Sequence, residues 1–186
     1  MFVLDSNSFK NARLTFTLIL LNIVFFFIVY FNIEIFYLFV QINDRILNNF
    51  EYWRLLSAMF VHGNPLHLFS NMFGLLLFGT FIESSLPKYK YLIIYLSSGL
   101  IGNLFSLFLL PSKIISLGAS GAIFGLIGTS FIMVAMQEDK SLLLMGTLYV
   151  ILFLVSSFSP GINIYAHFFG LIGGILFGYL FYKKRS

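Results

Sequence analysis

The chain has 186 residues, of which 59% are hydrophobic and only 10% charged, and its mean hydropathy is +0.95. Values like these lie outside the range of soluble domains and point to a chain embedded in a bilayer. The formal net charge of +4 is spread over helix ends instead of forming one basic patch, which argues against nucleic-acid binding. With no cysteine, the chain has neither a disulfide framework nor a thiolate metal site.

A spanning helix needs about 20 mostly apolar residues. Six such segments are predicted in chain order, at 14–30 with room for an extension toward Val40, then 66–82, 91–110, 120–136, 142–158 and 164–182. They make the expected fold class all-α and polytopic, a single membrane domain over residues 1–186. Lys10 and Arg13 precede the first run as in a signal peptide, but no small-residue cleavage site follows, so that run is read as a span. The long connection, residues 41–65, is an outer loop carrying Asp44, Arg45, Glu51, Trp53 and Arg54. Asn64-Pro65 reads as a helix N-cap followed by proline at the first helical position.

Orientation follows from the distribution of Lys and Arg among the connections. With the amino terminus inside, Lys10, Arg13, Lys88, Lys90, Lys140, Lys183, Lys184 and Arg185 are cytoplasmic, and Arg45, Arg54 and Lys113 are outside. The second, fourth and sixth helices then run inward. Counting back from Glu83, Gln137 and Lys183, the residues His67, Ser120 and His167 lie 16, 17 and 16 positions away. At about 1.5 Å per residue this is roughly 24 to 26 Å, a common level a little below the outer surface of a core about 30 Å thick.

Polar groups at such depth are costly and mark candidate functional sites. Ser120 sits in Gly118-Ala119-Ser120-Gly121 at a helix start, where unpaired backbone N–H groups and the positive dipole end favour a developing oxyanion. A lone membrane serine more often packs or bonds back to its own helix. Here it has company. Gly121, Gly125 and Gly128 follow on the fourth helix and Gly170, Gly174 and Gly178 on the sixth, a spacing that lets two membrane helices approach closely and brings Ser120 to His167. A serine hydroxyl becomes a good nucleophile only when a neighbouring base takes its proton, and His167 is the candidate base on that face.

No carboxylate lies deep in the last five helices, so the expected site is a dyad lacking the acid that orients histidine in a triad. Phe124, one turn after Ser120, is placed to orient the imidazole by stacking; its alternative is plain core filling. His67 and Asn71, four residues apart on the second helix, can join the Ser120 backbone N–H as an oxyanion hole, or form a buried polar pair that stabilises helix contacts. His62 lies above them and reads as a loop-fixing residue.

With these residues assembled, the chain resembles the rhomboid intramembrane serine proteases of the minimal six-helix bacterial kind. The resemblance runs from Trp53 to Gly174. It rests on Trp53-Arg54, the spacing of His62, His67, Asn71, Gly79 and Glu83, the stretch Gly99 to Ser106 with Gly102-Asn103, the Gly118-Ala119-Ser120-Gly121 motif, and Ala166-His167 with Gly170 and Gly174. It implies a six-transmembrane-helix rhomboid-like bundle in a bacterial plasma membrane. Ser120 would be the nucleophile, His167 the general base, and His67 and Asn71 oxyanion donors. It further implies that Trp53 and Arg54 belong to a structural loop in the outer leaflet, that the fifth helix and the loop after it gate substrate entry, and that substrates are transmembrane helices of other proteins cut after a small residue. No cofactor or metal is implied. Trp53 also fits a plain interfacial anchor. Two departures stand out: Phe124 replaces a frequent tyrosine, and Ile164 replaces a frequent asparagine three residues before the histidine, with Asn163 one place earlier.

Other classes fit less well. A small transporter calls for a polar pathway through the whole membrane, whereas the polar groups here share one outer level. A three-histidine metal site is opposed by Asn64-Pro65 between His62 and His67. There is no HExxH and no intrahelical pair of aspartates. A catalytically silent relative that binds membrane proteins is the remaining alternative, and retention of both Ser120 and His167 weighs against it.

Overall fold

The computed structural model describes residues 6–136, 140–158 and 161–183. Six long helices dominate it: α1 Arg13–Tyr30, α2 Pro65–Ser85, α3 Lys88–Leu109, α4 Ser120–Ala135, α5 Lys140–Ser156 and α6 Ile164–Lys183. Among the described residues, α1, α2, α3 and the 164–182 stretch of α6 are long and apolar enough to cross a membrane by themselves. With 16 residues, α4 is about 24 Å long. Its first residue is Ser120.

Three of the helices start at an identifiable capping group. Asn64 accepts the His67 N–H at 2.8 Å and Pro65 occupies the first turn of α2. Asn163 caps α6 by accepting the Ala166 N–H at 3.0 Å. At the start of α1 the cap comes from another helix: the Glu83 carboxylate of α2 accepts the N–H groups of Leu14 and Thr15 at 2.9 and 2.8 Å. That contact joins the C-terminal end of α2 to the helix dipole of α1.

Eleven of the sixteen residues of α4 are buried, so this helix is the centre of the bundle, packed by α3, α5, α6 and the middle of α2. The outer helices present apolar side chains outward. On α1, for example, Phe16, Leu20, Leu21, Val24, Phe27 and Ile28 are exposed, as suits a lipid-facing surface. The protein is therefore an integral membrane protein of helical-bundle class.

Three features differ from the sequence expectation. The first span does not extend to Val40, because Asn32 starts a separate short helix, Ile33–Phe39, by accepting the N–H groups of Glu34 and Ile35. The long connection between α1 and α2 is well structured. Its strand Gln41–Ile42 pairs antiparallel with Ile115–Ser116, and it continues through the helices Asn43–Asn49 and Arg54–Ser57 and a 3-10 turn, Ala58–Phe60. Finally, α2 contains a π-helical segment, Leu75–Gly79, which shifts the register between its N-terminal and C-terminal halves.

Candidate active site

The polar groups of the site are brought together by backbone contact between α4 and α6. A β-carbon added at Gly170 or Gly174 would collide with the backbone of Gly121 or Gly125, respectively. Thr129 Oγ1 donates to the Gly174 carbonyl at 2.8 Å in the same seam. This proximity leaves the first residue of α4 facing the first turn of α6. Ser120 Oγ and His167 Nε2 are 2.7 Å apart. The Phe124 ring, one turn along α4, stacks on the imidazole with centroids 4.3 Å apart and planes inclined by 15°. His167 and Phe124 are both buried.

The other ring nitrogen is engaged as well. His167 Nδ1 lies 2.7 Å from the hydroxyl of Ser157, a buried residue directly after α5. Sequence reasoning missed Ser157, because it fell at the end of the predicted 142–158 span, whereas the helix ends at Ser156 and leaves the Ser157 hydroxyl to meet His167.

Gly118 is held at φ +116°, a left-handed conformation that favours glycine. It also keeps a volume open. A β-carbon there would lie 2.8 Å from His67 Nε2 and 3.8 Å from Ser120 Oγ, so the space over Gly118 is where the serine and the α2 histidine converge. The backbone N–H groups at the start of α4 have no carbonyl one turn earlier in the helix to bond. Asn71 is buried near the same space; one of its amide N–H groups goes to the His67 carbonyl at 2.8 Å, and its Oδ1 has no partner.

His62 and His67 meet edge to face, with centroids 5.1 Å apart. His62 is in the outer loop and almost fully buried, and neither ring nitrogen closes a hydrogen bond of acceptable geometry. Burial, reinforced by the neighbouring His67, lowers its pKa to about 3; the nearby Phe60 backbone opposes the shift slightly. His62 is thus a neutral ring packed against His67.

Trp53 and Arg54 lie away from this cluster. The buried Arg54 guanidinium donates to the carbonyls of Tyr37 and Val40 at 2.7 and 2.8 Å and pairs with Glu51. Trp53 is half-exposed, with its indole N–H 3.4 Å from the Leu38 carbonyl. The pair holds the outer segment together. Asn163 bridges in a similar way, donating to the hydroxyls of Ser106 and Ser116 at 2.9 Å each while capping α6.

A cavity of about 750 Å³ opens onto Ser120 and His167, lined also by His67, Asn71, Gly118 and Phe124. A hydroxyl bonded to an imidazole at the wall of a cavity, with donors converging beside it, is an arrangement suited to acyl transfer.

The Rhomboid domain family model matches residues 49–184. The chain belongs to the rhomboid family. It is 36% identical over 144 residues to the putative rhomboid protease YdcA of Bacillus subtilis, covering 74% of this chain and 71% of that protein. Over 178 residues it is 33% identical to the rhomboid protease GluP of the same organism, covering 89% of this chain but 34% of GluP. RHOMBOID-like protein 6, mitochondrial, of Arabidopsis thaliana is 33% identical over 141 residues, which cover 73% of this chain and 46% of the plant protein. The chain thus spans less than half the length of GluP and of that plant relative. Named proteases among these rhomboid proteins make intramembrane proteolysis an activity of the family.

Proposed function

We propose that the chain is an intramembrane serine endopeptidase that cleaves transmembrane segments of other membrane proteins near the outer leaflet through a Ser120–His167 dyad. The observation that carries this reading is the 2.7 Å contact between Ser120 Oγ and His167 Nε2 at a cavity within the helical bundle.

A substrate helix, or its unwound outer end, enters sideways past α5 and presents a peptide carbonyl. Ser120 Oγ attacks the carbonyl carbon while its proton passes to His167 Nε2. The oxyanion forms over Gly118, where the Ser120 N–H, the His67 ring and the free N–H of Asn71 can donate to it. Collapse breaks the C–N bond, and His167 gives its proton to the leaving amine. Water then attacks the ester, again with His167 as base, and releases the new carboxylate and Ser120. These steps use only groups of the chain itself and water.

The bias of Lys and Arg supports an orientation with both termini in the cytoplasm of a bacterium and the site toward the outside of its plasma membrane. In this reading the whole chain acts as one membrane domain. The test is cleavage of a transmembrane substrate by the reconstituted protein, comparing wild type with Ser120→Ala and His167→Ala. Both substitutions should abolish cleavage; persistence of wild-type cleavage in either removes the dyad assignment.

A further inference from the structure

We propose that Ser157 is the positioning partner of His167. Its hydroxyl oxygen accepts the Nδ1 proton, so that the ring turns its Nε2 lone pair toward Ser120. The inference rests on the dyad reading above and adds a third residue to it.

The geometry leaves the imidazole few choices. It is buried, and each ring nitrogen lies 2.7 Å from a hydroxyl oxygen, Ser120 on one side and Ser157 on the other. A neutral imidazole carries one N–H. If that proton were on Nε2, the ring would donate to Ser120 and be unable to take its proton. Only the Nδ1–H form makes Nε2 a base, and that form needs an acceptor at Nδ1. Ser157 supplies one, because a hydroxyl has lone pairs available whichever way its own proton turns. Its buried setting excludes the water that would otherwise compete for the bond.

The role resembles that of a triad acid, with one physical difference. A carboxylate fixes the tautomer and also stabilises the imidazolium by its charge. A hydroxyl does the first without the second. Stabilisation of the charged ring then falls to the stacked Phe124 face. Ser157 also directly follows α5, so the bond ties the outer end of that helix to the base.

The chain has three histidines, so histidine labelled with ¹⁵N in the full-length protein gives a spectrum simple enough to assign. In the wild type at neutral pH, His167 should show a protonated Nδ1 and an unprotonated Nε2. Ser157→Ala should lose that preference and Ser157→Thr should keep it. In the cleavage assay, Ser157→Ala should lower kcat about three- to tenfold with KM unchanged, the size of one neutral hydrogen bond, and Ser157→Thr should restore it. A wild-type ring protonated on Nε2 overturns the proposal, as does a tautomer or a kcat indifferent to Ser157→Ala. Should the wild type cleave nothing, the dyad reading fails, while the tautomer of His167 still reports on Ser157.

Discussion

Gly174 of α6 lies against the Gly125 carbonyl of α4, leaving no room for a β-carbon between the two backbones. The catalytic proposal depends on this contact at a distance of two helical turns, because His167 reaches Ser120 only while the two helix axes stay this close. Gly174→Ala should push α6 outward and separate the pair. Overpacking of this kind costs about 1–3 kcal/mol of stability, and a displacement of about 1 Å at a reacting group costs about 100-fold in rate. Cleavage rate and thermal unfolding, measured on the same preparation, should therefore show a loss of activity far larger than the loss of fold.

Glu83 presents a second long-range contact with a measurable consequence. Its carboxylate accepts the Leu14 and Thr15 N–H groups and the Thr15 hydroxyl, and Thr15 in turn meets the Tyr91 hydroxyl of α3. Glu83→Gln keeps the shape but places an amide nitrogen among donors. The expected loss is about 2–4 kcal/mol, the value of one or two charge-assisted hydrogen bonds at a helix N-terminus. Equilibrium unfolding in mixed micelles is the measurement. A Gln variant as stable as wild type would mean that α1 is held by lipid-facing and core packing alone.

Arg54 makes the corresponding prediction for the outer segment. One terminal nitrogen satisfies both the Tyr37 and Val40 carbonyls while Nε and the second terminal nitrogen reach Glu51. Lysine carries a single compact ammonium and cannot reproduce that fork. Arg54→Lys should loosen the segment between α1 and α2, and Arg54→Ala should do so more severely, by about 3–5 kcal/mol, because Glu51 then loses its buried partner and the Tyr37 and Val40 carbonyls lose their donor. Limited proteolysis should cut within residues 41–60 in the variants before it cuts wild type.

The parts of this structure that were legible in the sequence are those set by local periodicity. Long apolar runs marked the helices because a bilayer leaves the backbone no alternative within its core. The four-residue glycine spacing marked the α4–α6 seam, and with it the approach of Ser120 to His167. What stayed hidden depends on the path of connections. Ser157 meets His167 Nδ1 just past the last residue of α5, and Gln41–Ile42 finds Ile115–Ser116 across more than 70 residues. Neither contact has a repeat or spacing that announces it. The π segment Leu75–Gly79 is hidden for another reason: its residues are as apolar as a regular turn would be.

The pH dependence of stability should carry the signature of His62. In the unfolded chain this residue titrates near 6.5, and burial in the fold lowers its pKa to about 3. Above pH 6.5 it is neutral in both states and adds no slope. Between pH 6.5 and 3 the unfolded state binds the proton and the folded state does not, so stability is lost as the pH falls through this window. The full loss attributable to a shift of this size is on the order of 5 kcal/mol. His62→Leu has no proton to bind, and its apolar side chain replaces two nitrogens that lack partners. The variant should match or exceed wild-type stability at neutral pH and lose less of it on acidification. Thermal unfolding of the two proteins at pH 7, 5.5 and 4 measures the difference, and because the remaining titrating groups are shared, the gap between the curves isolates His62. Parallel curves would show that its imidazole binds a proton as readily in the fold as in the unfolded chain.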